Sequence, residues 1–406
     1  MKSPKSESEE AGYGAGMRRA AAAGQFAGGG ATRAERALEL IALLVAVGFS
    51  LSLVSQGLLE KSDFFLPTYD NAMLHAGRAR FVIDYGFYPD RELVFGGVTP
   101  TYHVPAYPAL AAAFAELSGL NWLWAIRVLA LLFAVLLPLA FYCLARRASG
   151  GNAFAGAAAA FFALLSTGLT TWGMRTTPIS LGVIAVVFLL YFVLERNWPL
   201  VIAGSVMLAF THQPSLLAFF GAMCFFFAAS NAGAAWNLLK RKAAWTKEEF
   251  ASLLKSLDWL PLAGALAALL PYLAWHVSKT GLGCLTLKCL PQGNTHEFGE
   301  AVNLADYFGA VPEKLAPKLP QAFALFGVAW VAFDKRVDGR TKLLLYSWIL
   351  WTLLLVKNEL FGIGVFTQRF LTFFDEAVAV FAGVFVGGLL VLLCGFLETR
   401  FSSDAA

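Results

Sequence analysis

The chain has 406 residues, 58% of them hydrophobic and 14% charged, with a formal net charge of +4. Ordinary soluble domains carry roughly 25% charged residues, so much of this chain must lie in a medium that rejects charge, and a soluble enzyme is excluded. Its basic residues sit in short clusters at the ends of apolar runs, where they act as topology signals rather than as a nucleic-acid surface, and no nucleic-acid partner is implied.

Residues 1–36 are rich in Gly, Ala, Ser and charge and offer little to bury, so a disordered cytoplasmic tail is expected. Residues 37–400 then form an all-α, polytopic membrane domain. A crossing helix needs about 20 apolar residues. Runs near 37–56, 122–145, 152–171, 178–194, 198–211, 214–231, 259–278, 319–333, 342–357 and 371–396 give about ten transmembrane helices, followed by a short tail, 401–406. The first run lacks a small-x-small cleavage site and reads as a retained anchor.

With the amino terminus inside, every inner loop is basic: Arg146-Arg147, Arg196, Lys240-Arg241-Lys242, Lys335-Arg336 with Arg340 and Lys342, and Arg400. The parity closes only if 104–119, with its two prolines, is a re-entrant or interfacial helix and not a span. The expectation is a multi-pass protein of the cell membrane with both termini cytoplasmic. Segment 240–258 reads as an amphipathic helix on the inner surface.

The outer face then owns a long first extracytoplasmic loop, 57–121, with juxtamembrane helices, a turn at 172–177, a corner at 211–214, a second large loop at 279–318, and the approach 358–370. Of five cysteines, Cys143, Cys224 and Cys394 lie in apolar runs. Cys284 and Cys289 bracket Leu-Thr-Leu-Lys in the second outer loop, where an oxidising compartment would allow a disulfide.

In the first outer loop, the apolar positions between Tyr69 and Tyr85 fit a short helix with Asp70 at or near its N-cap and Gly86 ending it. By itself Asp70 reads as a helix cap. The run Asp70-x4-His75-Ala-x-Arg78-x-Arg80-Phe-x4-Gly86-x2-Pro89, followed by Tyr102-His103-x-Pro105-x-Tyr107-Pro108, resembles the first extracytoplasmic loop of the C-type glycosyltransferase superfamily. Those multi-spanning enzymes take sugar from a polyprenyl-phosphate or polyprenyl-diphosphate carrier. The helix order is similar too, with a basic stop at Ala145-Arg146-Arg147. The resemblance covers about 57–215 and, more loosely, the last helix.

It implies that Asp70 is the catalytic base or the group that positions the acceptor; Asp63, before Pro67, is the rival. A carboxylate there can take a hydroxyl proton or hold a divalent cation without entering hydrocarbon. His75, Tyr102, His103 and His212 are candidate substrate-binding residues. His75 lies five residues after Asp70, off its helix face. Arg175 in Trp172-Gly-Met-Arg175-Thr-Thr-Pro178 and Arg369 in Thr367-Gln-Arg369-Phe are placed to bind carrier phosphates, for which the guanidinium fork is suited. As bare sequence features, these arginines also fit snorkelling at helix ends.

The acidic motif that many relatives carry in the second outer loop is absent from 172–177, and so is the Trp-Trp-Asp of the oligosaccharyltransferase catalytic subunit. No metal site is assigned, and no cofactor is required by the pattern. No Walker A, Gly-x-Gly-x-x-Gly, His-Glu-x-x-His or Gly-x-Ser-x-Gly motif occurs, as befits a donor that arrives through the lipid. The expected partners are a polyprenyl-phosphate-linked sugar, membrane lipid and other glycan-assembly proteins. The rival readings are a transporter or flippase without catalysis, and a subunit of a glycan-assembly complex.

Overall fold

The computed structural model describes residues 33–59, 70–91, 104–173, 176–239, 252, 254–280, 302–308, 315–363 and 366–403. Cys284, Cys289, Tyr102, His103, Arg175 and residues 240–251 of the segment expected to form an amphipathic helix lie outside the described residues. By contact density the chain divides into two units, 1–42 and 43–406. The first is described only from residue 33.

The described residues are helical, without a strand. In chain order they form α1 (Arg33–Leu59), α2 (Asp70–Tyr85), α3 (Ala106–Ser118), α4 (Trp122–Ala148), α5 (Ala153–Leu165), α6 (Thr167–Gly173), α7 (Pro178–Leu194), α8 (Trp198–Ala209), α9 (Gln213–Leu239), α10 (Leu260–Thr280), α11 (Leu304–Phe308), α12 (Leu315–Phe333), α13 (Gly339–Val356) and α14 (Thr367–Ser403). Stretches of α1, α4, α9, α10 and α14 are long and apolar enough to cross a membrane, and parts or all of α5, α7, α8 and α12 are shorter apolar helices.

Local chemistry explains many of the ends. Asn121, Asn152, Asn197 and Asp338 accept amide hydrogen bonds from the first turns of α4, α5, α8 and α13. Pro178 opens α7, where its missing N–H is no loss. Gly86 and Gly119 follow α2 and α3 in left-handed geometry, which glycine adopts without a Cβ penalty.

The run expected as one helix over 152–171 is instead broken at Ser166. That residue is extended (φ −72°, ψ 120°), and its hydroxyl donates to the carboxylate of Asp375, 2.6 Å away on α14. The break is a tertiary effect, since the sequence on either side is helical by pattern.

The last helix is the hub of the bundle, packing against α5, α12 and α13. α9 packs on α13 and α10, and α4 lies against α5 and α7. Small residues let the helix axes approach, as packing in lipid favours. A Cβ on Gly383 would stand 2.5 Å from the Ala159 Cβ, and one on Gly327 would stand 2.2 Å from the Phe381 carbonyl oxygen.

Contacts sort the helix ends into two sets. At one end, Arg147 pairs with Glu195 (2.6 Å), Arg340 pairs with Asp258 (2.7 Å), and Gly150 abuts the Arg336 carbonyl. Burial works against ionisation of Asp338 there. The Thr341 hydroxyl and amide, aided by the Arg147 guanidinium, outweigh it and hold the carboxyl below its usual range. At the other end lie the 166–180 turn, the 210–213 corner, segment 302–308 and the head of α14. Successive helices from α4 onward run back and forth between these ends, α5 and α6 together making one pass and the five-residue α11 none. α3 makes no pass: its first amide donates to the Phe210 carbonyl (2.7 Å), and its far end leads into Trp122, over which Arg80 of α2 lies.

Candidate active site at the less basic end of the bundle

Asp70 is the first residue of α2. Its side chain lies outside what is described. The buried face of α2 carries His75 (4% exposed), Ala76, Arg78 (0%) and Ala79, and it rests on α3. Tyr107 of α3 meets the His75 ring edge-on, with centroids 5.9 Å apart, and in turn touches Phe133 of α4. Burial pushes the Tyr107 phenol well up from its ordinary range, so it stands as a neutral hydroxyl. Asp70 and His75 therefore share a helix that is docked, not free-standing.

The hydrogen bond from Ala106 to Phe210 ties this pair of helices to the α8–α9 corner, where His212 sits. The Nδ1 of His212 is 2.8 Å from the Ser215 hydroxyl, and its ring is 6.5 Å from that of Phe373 on α14. Arg369 lies one turn before Phe373 on the same helix face, its guanidinium 5.1 Å over the Phe366 ring. Two of the sequence-derived candidates, His212 and Arg369, thus converge on the head of α14. Asp70 and His75 are grouped separately on α2.

The sequence reading passed over an acidic pair inside the last helix. Asp375 is 3% exposed and Glu376 is wholly buried. The carboxylate of Asp375 accepts from Ser166, from the Tyr307 hydroxyl and from the Gly168 amide. The Gly168 contact leaves no room for a side chain, since a Cβ there would stand 2.3 Å from Asp375 Oδ2. Tyr307 belongs to α11, a segment also held by Lys318, whose ammonium donates to the Asp306 and Tyr307 carbonyls, and by Lys357, which donates to Val302. Burial first, and the adjacent Asp375 second, raise the Tyr307 phenol well above its ordinary range and keep it a donor.

Glu376 differs. Neither of its carboxylate oxygens has a hydrogen-bond partner among the described residues, and neither does the buried Thr372 hydroxyl. Positions 369, 372, 373 and 376 form one stripe of α14 by helical spacing. A signal for this pair existed in the sequence: an ionisable group inside an apolar run is a functional candidate by default, and Asp375-Glu376 lies in the run 371–396. As for metals, no group of three His, Cys, Asp or Glu side chains among the described residues could hold an ion. Both oxygens of Asp375 are already engaged by protein donors.

Neither a protein-family model nor a curated protein matches the sequence. Solved structures do match in fold. Three are of the oligosaccharyltransferase of Archaeoglobus fulgidus. The apo form has a TM-score of 0.58 at 13% identity, over 90% of this chain and 52% of that one. The form tethered to an acceptor peptide with an NVT sequon through a disulfide has 0.55 at 13%, over 88% and 50%. The complex with an inhibitory peptide and a dolichol-phosphate, there called AglB, has 0.56 at 11%, over 92% and 52%. This chain spans about half the length of those proteins. The likeness is one of fold. It extends to an oligosaccharyltransferase even though this sequence lacks the Trp-Trp-Asp motif.

Proposed function

We propose that the protein is a membrane glycosyltransferase that moves a sugar from a polyprenyl-phosphate carrier to a lipid, glycan or protein acceptor on the extracytoplasmic face. One observation carries the reading. A short helix that opens on Asp70 is docked at the end of the bundle remote from the basic loops, within a fold shared with an oligosaccharyltransferase. The dolichol-phosphate bound to AglB supports a polyprenyl phosphate as the carrier here. In this reading α1, α4, α5 with α6, α7, α8, α9, α10, α12, α13 and α14 make ten crossings. The basic end is cytoplasmic, and so are both termini.

The reaction is a displacement at the anomeric carbon. Asp70 takes or orients the proton of the acceptor hydroxyl or amide, whose heteroatom bonds to the sugar as the bond from sugar to phosphate oxygen breaks. The phosphate leaves with the electron pair, and Arg175 or Arg369 stabilises it. His75, Tyr102, His103 and His212 line the acceptor and phosphate region. Asp70 is the group that would hold a divalent cation, and no step is routed through one.

Asp70→Asn should lower transfer about 100-fold or more while expression and melting temperature stay at wild-type values. Transfer is measured with the polyprenyl-phosphate sugars extracted from the source membranes. Turnover at the wild-type rate in that variant would remove Asp70 from the chemistry.

A further inference from the structure

A helix that breaks inside a bilayer frees amides that water cannot satisfy, so the break at Ser166 needs acceptors supplied by the protein. The first amides of α6 have them. The Ser166 hydroxyl accepts from the Leu169 amide (3.3 Å) while it donates to Asp375 (2.6 Å), and the Gly168 amide donates to the same carboxylate. Asp375 thus caps α6 from another helix, and its other oxygen takes the Tyr307 hydroxyl.

The carboxylate also extends a seam between helices. A Cβ on Gly387 would stand 2.3 Å from the Ala155 nitrogen, one on Gly383 would stand 2.5 Å from the Ala159 Cβ, and one on Gly168 would stand 2.3 Å from Asp375 Oδ2 and 3.7 Å from the Thr372 Cα. α6 therefore lies against α14 as α5 does, on the far side of the break. Beyond α6 the chain turns back, and the Ser180 hydroxyl donates to the Trp172 carbonyl (2.8 Å), which fastens the turn to the last residues of α6. Arg175 belongs to that turn by sequence.

We propose that Asp375 is a positioning residue for phosphate binding: by capping α6 it sets the direction of that helix, and so brings the turn that contains Arg175 to the head of α14, where Arg369 lies. Arg175 is then a partner of Arg369 and not an alternative to it. The phosphate rests on the glycosyltransferase reading; the capping of α6 does not.

Binding of bare polyprenyl phosphate to the full chain in lipid nanodiscs tests the role, at a temperature where every variant is folded. Ser166→Ala and Asp375→Asn should each weaken binding about tenfold, the loss of one well-placed hydrogen bond to a charged group, and Arg175→Ala should weaken it at least as much. Added to Arg175→Ala, Ser166→Ala should change the affinity by less than about twofold, because both act through the same contact. Losses that simply add, as a purely structural role predicts, overturn the proposal, and so does wild-type affinity in Ser166→Ala. That variant removes a single hydroxyl and carries the test even if Asp375→Asn fails to fold.

A second arm needs no ligand. In a background free of native cysteines, nitroxides on Arg175→Cys and on Gln368→Cys, an exposed position at the head of α14, should give one narrow distance distribution. Ser166→Ala should broaden or shift it, and an unchanged distribution overturns the proposal. Wild type that binds no polyprenyl phosphate, with this distance response intact, would remove the functional reading and leave the capping role standing.

Discussion

The carboxylate of Asp375 has three protein donors around it, whereas that of Glu376, the next residue, has none among the described residues. The two should respond to truncation in opposite ways. Asp375→Ala strands the Ser166 and Tyr307 hydroxyls and should cost about 3 kcal/mol, because losing a buried partner leaves the desolvation penalty of the others. Glu376→Leu removes an unsatisfied group and should stabilise the fold by roughly 1 to 3 kcal/mol. Thermal unfolding in detergent, followed by tryptophan fluorescence, reads both. A lower melting temperature in Glu376→Leu would mean that the carboxylate has a partner in the membrane. At this scale the sequence was partly legible. Asp70, His75, His212 and Arg369 stood out by motif and by placement at helix ends. The acidic pair did not, because a count of apolar residues absorbs two charges within a long run.

Helix boundaries were legible wherever a local cause sets them. Asn121, Asn152, Pro178 and Gly86 mark their ends through hydrogen bonds and backbone preferences that operate within a few residues. The break at Ser166 was not, because its cause lies on another helix more than two hundred residues away. Close packing likewise depends on partners that the sequence does not pair. Gly327 of α12 faces the backbone carbonyl of Phe381, and backbone cannot yield as a flexible side chain can. Gly327→Ala should therefore lower the melting temperature by several degrees. At Gly233 of α9 an added methyl would have nothing within 4 Å, and Gly233→Ala should gain about 0.5 to 1 kcal/mol from the helix propensity of alanine. Equal behaviour of the two variants in the same unfolding assay would contradict this account of helix packing.

Across the described residues, the back-and-forth order of the helices gathers the loops that hold Arg147, Arg196 and Arg336 at one end, and His212, Arg369 and the docked α2–α3 pair at the other. In a background free of native cysteines, Leu360→Cys, at an exposed position beside the head of α14, should react with an impermeant maleimide on intact cells. Lys335→Cys, in the basic loop between α12 and α13, should react only after permeabilisation. Reaction of both from the same side would refute the topology. Taken alone, the sequence determined that this is a helical membrane protein, and where most of its helices begin and end. Those properties follow from the transfer cost of each residue and from interactions a few positions apart. Only the tertiary structure decided that Ser166 breaks a helix, that Tyr307 and Ser166 converge on Asp375, that Glu376 is buried without them, and that Arg78 meets His75 against Tyr107. Burial and hydrogen bonding between distant segments depend on which helices become neighbours, and each helix's own pattern of apolar residues does not encode its neighbour.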